Sequence, residues 1–578
     1  MAGCSKRRFS VKEVVEALEI DSDSEPLVEP ADSEDDVNLS SDITGESSEY
    51  ETESEGDASD EARDARAWFR VDPARQCPPP PRFPFTGKPG LNVEVPSDPL
   101  SYFRLFVSDS VIDKIVVETN RYAEQTDTSH TKPFSRANKW DPVTSDDIFV
   151  FLGLIILQGI LGKPVQRWYW SKNKLLETPI FSRYMSECRF SLIMKNLHFT
   201  NNDEFDEATH PAPKLKKIWE IFQEFISNCQ QTYTPERDVS VDESLMAYKG
   251  RLSWIQYIAS KRARFGIKFY MLCESNTGYI WNSVLYTGKG TTWDGKYSQY
   301  GIATSSVLTL MDPLLDNGYC LTTDNFYTSP ELVDILVQRK TDVYGTVRPN
   351  RRDMPKSMPK TKLQRGDVAA WQRGKVIALK WKDKKDVHLL STVHDASTTI
   401  VRVRGDKEVS KPVAVVAYNH TMGGVDRADQ ALTFYPVMRK QQKKYYKKIF
   451  RHLIEQCLWN AYVLFKKYVN KKLSHADFTW KLVEQILAEH KPSVLPARSG
   501  RRCSTVVNPE RLIGRHFIDY CPPTAKKQNA SRMCVVCCSK VGESGKKVRK
   551  ETRYCCPDCD VGLCLVPCFK LYHTEDVY

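Results

Sequence analysis

The chain has 578 residues, 41% of them hydrophobic, and a formal charge of +10, enough for roughly three or four domains around a large buried core. The charge is unevenly held: residues 21–62 carry 17 acidic side chains and no lysine or arginine, which leaves +27 on the rest of the chain. Such a basic body attracts polyanions, nucleic acid foremost. Secretion and membrane insertion are not expected, because residues 1–10 are polar and basic with no apolar run after them and the longest apolar run, 148–157, is shorter than a bilayer span.

In chain order, residues 1–92 form an acidic, serine-rich N-terminal region with too few apolar residues to fold, expected to be disordered, with an extended proline-rich stretch, Cys77-Pro-Pro-Pro-Pro, near its end. Apolar residues at three- and four-residue spacing predict helices over 100–120, 146–159 and 215–233, an all-α unit spanning 93–236. At Thr234-Pro-Glu the composition turns to β, with strands expected over 238–247, 265–273, 279–286, 319–323 and 343–347 and a helix over 305–315. Three strands, a helix and another strand make a mixed sheet of the ribonuclease-H-like kind, here the first part of a core, 237–350. Hairpin signals mark a β-rich insertion over 351–411, after which 412–434 returns to the core. Helices then recur over 435–495, 496–530 reads as a linker, and 531–578 is cysteine-rich. The fold class is therefore α/β multidomain: a ribonuclease-H-like core with a β-rich insertion, a flanking all-α unit and a C-terminal Cys-rich domain.

Three short segments place carboxylates where such a core would gather them: Val239-Ser-Val-Asp242-Glu, Leu321-Thr-Thr-Asp324-Asn and Gly423-Gly-Val-Asp426-Arg-Ala-Asp429. Alternation puts the valines before Asp242 on one face of a strand and Asp242 on the other. Asp324 ends its strand, where active-site loops begin. Asp426 and Asp429 sit three apart near a helix start and so share a face. Three acids on scattered elements are how a protein holds two Mg²⁺ ions about 4 Å apart for in-line attack on phosphodiesters. The plain alternatives are that Asp324 caps a turn and that Asp426 stabilises a helix N-terminus.

Eight of the 17 cysteines fall between 534 and 568, and the pattern Cys534-x-x-Cys537, Cys556-x-x-Cys559, Cys564, Cys568, His573 suits tetrahedral Zn²⁺ in a segment too short to hold a fold unaided. Seven ligands are one short of two four-coordinate sites, so either Cys538 or Cys555 is the eighth or one of the two sites is incomplete. The run of residues 439–448 mixes cations with tyrosines: Arg439, Lys440, Lys443, Lys444, Lys447 and Lys448 are read as phosphate contacts and Tyr445 or Tyr446 as a stacking platform for a splayed base, against the ordinary reading of a solvated helix face. Lys261, Arg262 and Arg264, beside the first acid-bearing strand, get the same reading.

The motifs Ser240-Val-Asp-Glu-Ser-Leu, Gly250-Arg-Leu, Tyr257-Ile-Ala-Ser-Lys-Arg-Ala-Arg-Phe-Gly-Ile-Lys268, Thr323-Asp-Asn-Phe-Tyr-Thr-Ser, Gly345-Thr-Val-Arg, Met422-Gly-Gly-Val-Asp-Arg-Ala-Asp-Gln and the Cys/His end occur in the order found in the piggyBac-family transposases, which the chain resembles from about residue 98 to 578. The resemblance implies Asp242, Asp324 and Asp426 as ligands of two Mg²⁺ ions, with Asp429 close by. It implies a homodimer acting on double-stranded DNA at transposon terminal inverted repeats: water cuts one strand, the freed 3′-OH attacks the other to leave a hairpin, and the opened ends join to TTAA. It further implies that the helical unit serves dimerisation and DNA binding, and that the zinc domain, with two Zn²⁺ ions, binds the transposon end through Lys546, Lys547, Arg549, Lys550 and Arg553. A nuclear location follows from that substrate. The alternative is a host-recruited relative that binds DNA or chromatin without transposing.

Overall fold

The computed structural model describes residues 67–72, 78–125, 139–258, 264–403, 407–439, 442, 444–469, 471–491, 512, 515–523, 527–540 and 548–575. The acidic N-terminal stretch and the candidate contacts Lys261, Arg262, Lys440, Lys443, Lys546 and Lys547 lie outside the described residues. Residues 1–495 and 496–578 form two compact units.

The first helical stretch comprises α1 (Pro99–Arg104), α2 (Asp109–Gln125), α3 (Ser145–Leu161), α4 (Glu187–Asn196) and α5 (Trp219–Thr232). The single helix expected over 100–120 is thus two, because the chain leaves the helix after Arg104 and restarts with Ser108 Oγ accepting from the Val111 amide. Helix α3 holds the long apolar run: a capping box between Thr144 and Asp147 starts it, Gly162 at φ 52° ends it, and twelve of its residues are buried. Among the described residues no helix is long and apolar enough to cross a membrane.

Ten strands make one mixed sheet: β1 (Phe69–Val71), β2 (Asp238–Ala247), β3 (Gln256–Tyr257), β4 (Phe265–Glu274), β5 (Ile280–Leu285), β6 (Cys320–Thr323), β7 (Asp342–Thr346), β8 (Val368–Arg373), β9 (Val376–Lys382) and β10 (Asp386–Ser391). Their order is β1-β8-β9-β10-β7-β6-β2-β4-β3, with β5 paired to β4. Only β2–β6 and β6–β7 are parallel. Parallel neighbours need crossover connections, and α6 (Ile302–Met311) and α7 (Pro330–Gln338) lie in the connections leading to β6 and β7. Val239 and Val241 of β2 are fully buried, which fixes its register and turns the alternate residues to the other face.

The β-rich stretch over 351–411 is continuous with this sheet for most of its length. Strand β10 pairs with β7 through Leu389↔Thr346, Leu390↔Gly345 and Ser391↔Tyr344, so β8–β10 extend the sheet. The reason is apolar: Ala370, Ile377, Leu379 and Leu389 of these strands share a buried cluster with Tyr344 of β7 and Ala414, Val415 and Tyr418 beyond. Only β11 (Thr398–Val403) and β12 (Lys407–Pro412) make a ladder of their own. Helices α8 (Val413–Thr421), α9 (Gly424–Phe434), α10 (Tyr445–Tyr468) and α11 (His475–Glu489) complete the body. The two helical stretches, far apart in sequence, pack together: Tyr102 of α1 meets Phe465 of α10 edge to face at 5.5 Å, and Gln485 of α11 accepts from the Leu100 amide.

In the C-terminal unit Asp519–Tyr520 pairs with Tyr554–Cys556 and that strand with Val561–Gly562, while Arg532–Met533 pairs with Glu551–Thr552. Part of the expected 496–530 linker therefore belongs to this unit. Its core consists of Cys534, Val536, Cys556, Val561, Leu563, Cys568 and Tyr572, so thiols take the place that large apolar side chains fill elsewhere.

Candidate functional site

The parallel register Val241↔Thr323 brings β2 and β6 side by side, so Asp242, midway along β2, and Asp324, just past the end of β6, follow it as neighbours, their backbones about 4.8 Å apart as adjacent strands are. Each carboxylate is held by a neighbouring amide: Asp242 Oδ1 accepts from Glu243 N at 2.8 Å and Asp324 Oδ1 from Phe326 N at 2.9 Å. The third acid arrives on α9. Its start lies so close to β2 that a Cβ on Gly424 would fall 2.4 Å from Ser240 Oγ, which only glycine permits. Arg427 of the same helix donates to the Ser275 carbonyl, and Ser244 Oγ donates to Asp429 Oδ1 at 2.5 Å. Ser244 is two residues beyond Asp242 and on its face, so this bond carries Asp429 to the acid-bearing strand. Asp426, in the first turn of α9, is exposed.

The field around the acids is consistent with their gathering. Burial, and then the negative charges of Asp324, Asp242 and Asp426, bear on the Tyr418 hydroxyl and raise its pKa. Burial together with Asp429, Asp242 and Asp426 holds the Cys273 thiol well above its usual range. Burial, followed by repulsion from Glu243, pushes the Asp324 carboxyl up to about 6. A carboxylate so disfavoured in its charged form is one that a cation would relieve, and an all-oxygen donor set suits a hard divalent ion. The acids do not form a closed cage: among the described residues, only the cysteine and histidine sets bring three or more ligand atoms within 4.8 Å of one another. A pair of ions about 4 Å apart asks for ligands spread wider than a single-ion cage.

Those two sets are Cys534, Cys537, Cys564, Cys568 and His516, Cys556, Cys559, His573. In the first, Cys537 Sγ lies 3.5 Å from Cys568 Sγ; in the second, Cys556 and Cys559 Sγ lie 3.6 Å from His516 Nδ1, and His573 Nε2 is 3.6 Å from Cys559 Sγ. The sets alternate along the chain, a cross-braced arrangement. The seven expected side chains all fall within these two sets, and the eighth member is His516 rather than Cys538 or Cys555. Cys555 instead packs with Cys521 and Ala530. The strand pairing of Asp519–Tyr520 with Tyr554–Cys556 carries His516 in from the supposed linker. S₄ and S₂N₂ sets of this kind fit Zn²⁺.

The basic candidates divide. Arg264, Lys444, Arg549, Lys550 and Arg553 are exposed. Arg439 is tied down, donating to Tyr169 Oη at 3.1 Å and to the Pro164 carbonyl at 3.2 Å. Lys447 and Lys448 are buried at 3% and 6% exposure, contrary to a role as solvent-facing phosphate contacts in this conformation. Lys447 Nζ donates to the Met194 and Lys195 carbonyls at the end of α4, and burial, then Lys444 and Lys217, push its pKa down to about 7. Tyr446 is buried and so is no platform, while Tyr445, partly buried, meets Trp254 at a near-right angle and donates its hydroxyl to the Lys214 carbonyl. The sequence run was legible; the packing side of its helix was not.

A family model described as Transposase IS4 matches residues 98–462, more than half of the chain. The human PiggyBac transposable element-derived protein 3 is 28% identical over 505 residues, covering 85% of this chain and 78% of the relative. The human chimeric ERCC6-PGBD3 protein is also 28% identical over 505 residues, but the chain spans 44% of it. The fold is similar to that of a piggyBac transposase solved as a synaptic complex with hairpin DNA, with a TM-score of 0.62 at 24% identity over 83% of this chain and 99% of that one.

Proposed function

From the premise that the chain belongs to the Transposase IS4 family, among its piggyBac-like members, we propose that it is a DNA transposase of the piggyBac type that cuts and joins transposon ends at TTAA targets through a hairpin intermediate. The observation that carries the reading is the meeting of β2, the end of β6 and the start of α9, three elements that each bring an acid. Asp242, Asp324 and Asp426 would hold two Mg²⁺ ions, which when bound neutralise charge on a phosphodiester undergoing in-line displacement. Asp429, fixed by Ser244, supports them. The sheet around these acids is then read as a ribonuclease-H-like core. The packed helical stretches serve dimerisation and DNA binding, with Arg264 and Lys444 among the exposed cations available to phosphates. Residues 516–573 hold two Zn²⁺ ions and recognise the transposon end, with Arg549, Lys550 and Arg553 as phosphate contacts. The place of action is the nucleus.

Purified protein with Mg²⁺ is expected to nick and hairpin DNA carrying its cognate ends, and Asp242→Ala, Asp324→Ala or Asp426→Ala to abolish this while DNA binding survives. Retained cleavage in any one variant removes that residue from the metal set. The relatives named as transposable element-derived proteins favour a second reading, a host-recruited DNA or chromatin binder. Wild-type protein that binds DNA but cleaves no end under any divalent cation supports that reading instead.

A further inference from the structure

Lys268 lies on β4, where the register pairs it with Leu245 and pairs Tyr270 with Glu243. Partners on neighbouring strands point to one side, so Lys268, Tyr270 and Glu243 share the face of the sheet opposite Asp242. The Lys268 side chain is 12% exposed and that of Glu243 15%, with Nζ 3.1 Å from Glu243 Oε1. Three aromatic rings complete its surroundings: Tyr270 at 4.5 Å, Phe326 at 5.1 Å and Tyr286 at 5.9 Å from Nζ to ring centroid. A buried ammonium is costly unless a carboxylate and aromatic faces replace its water. Here those partners come from β2, from the turn after β6 and from the end of β5.

Two of these partners are also the residues whose amides hold the acids. Glu243 N donates to Asp242 and Phe326 N donates to Asp324. We infer that Lys268 is a positioning residue that fastens β2 to the turn bearing Asp324 from the far face of the sheet, and so sets the spacing of the Asp242 and Asp324 carboxylates for a divalent cation. Arg351 also grips that turn, donating to the Asn325 and Phe326 carbonyls; Lys268 joins the turn to β2. The inference rests on the metal-site reading above.

The test is calorimetric titration of Mn²⁺ into zinc-replete full-length protein, with thermal unfolding as a check on folding, so that no cleavage is needed to read it. Lys268→Met is expected to weaken Mn²⁺ binding about tenfold or more, as loss of groups that orient metal ligands does. Lys268→Arg should recover part of the loss. Phe326→Leu, which keeps the apolar volume but removes the aromatic face, should move the affinity in the same direction by less and serves if Lys268→Met does not fold. The double variant Lys268→Met with Glu243→Gln separates clamping from simple neutralisation of Glu243: it stays weak if Lys268 positions the acids. Full recovery in the double variant, or wild-type affinity in both Lys268→Met and Phe326→Leu, overturns the inference. Mn²⁺ binding that is lost in Asp242→Ala yet untouched in the Lys268 variants sinks this inference alone; a titration unchanged by Asp242→Ala sinks the metal-site reading and this inference together.

Discussion

The acid site of the body and the Cys/His clusters of the C-terminal unit are built in opposite ways. In the body, β2, β6 and α9 are positioned by apolar packing that exists without any ligand: Val239, Val241 and Leu321 are fully buried beneath the acids. In the C-terminal unit the ligands are themselves the packing, since Cys534, Cys556 and Cys568 form much of a small core. A site placed on a prior core can lose a ligand and keep its fold. A site that is the core cannot.

The largest test of that contrast is chelation. Zinc removal from the full chain is expected to unfold residues 496–578, because the binding free energy of structural Zn²⁺, about 10 kcal/mol or more per site, is also folding free energy. Zinc removal should then add proteolytic cuts only in this unit; new cuts in the body to the same extent would break the comparison. A smaller effect is expected for His516→Ala, which should lower bound zinc from two ions per chain to about one by elemental analysis, while Cys538→Ala leaves it unchanged. Two ions in both variants would reject His516 as the eighth ligand.

The smallest effect concerns the cost of a preformed acid site. The Asp324 carboxyl, pushed up to about 6 mainly by burial, favours the protonated form in the folded chain. Its raised pKa means that the folded state is penalised as pH climbs from about 4 through 6. Asp324→Asn should therefore stabilise the Mg²⁺-free, zinc-replete protein by about 1–2 kcal/mol at pH 7.5, with the gain fading below pH 4. The Asn side-chain oxygen still accepts from Phe326 N. A denaturant series showing no gain at pH 7.5, or one independent of pH, would show that the acid is not strained in this way.

Much of this was readable in the residues. Strong alternation marked β2, and the strands over 238–347 begin and end within a few residues of their expected places. Local signals placed the candidate acids on their elements: alternation put Asp242 within β2, and Asp324 and Asp426 sit where β6 ends and α9 begins. The segment after residue 351 was readable as strands but not as part of the same sheet, since pairing between β10 and β7 leaves no local trace in either sequence. Lys447 and Lys448 misled for a related reason: a cationic run looks the same whether its helix faces water or packs against α4. His516 was missed because a single histidine 18 residues before Cys534, the first cysteine of the two sets, has no spacing to betray it, and a strand pair delivers it to the cluster.

By itself, then, the sequence determined the kinds of chemistry this chain carries, its acids, its thiols and its cations, because residue type and local periodicity are properties of short stretches. Only the tertiary structure decided which of them meet. The Ser244–Asp429 bond spans 185 positions, Lys268 touches two elements at once, and the two four-ligand sets interleave along the chain. Such contacts are set by the burial of apolar faces across the whole fold, and no window of neighbouring residues contains that information.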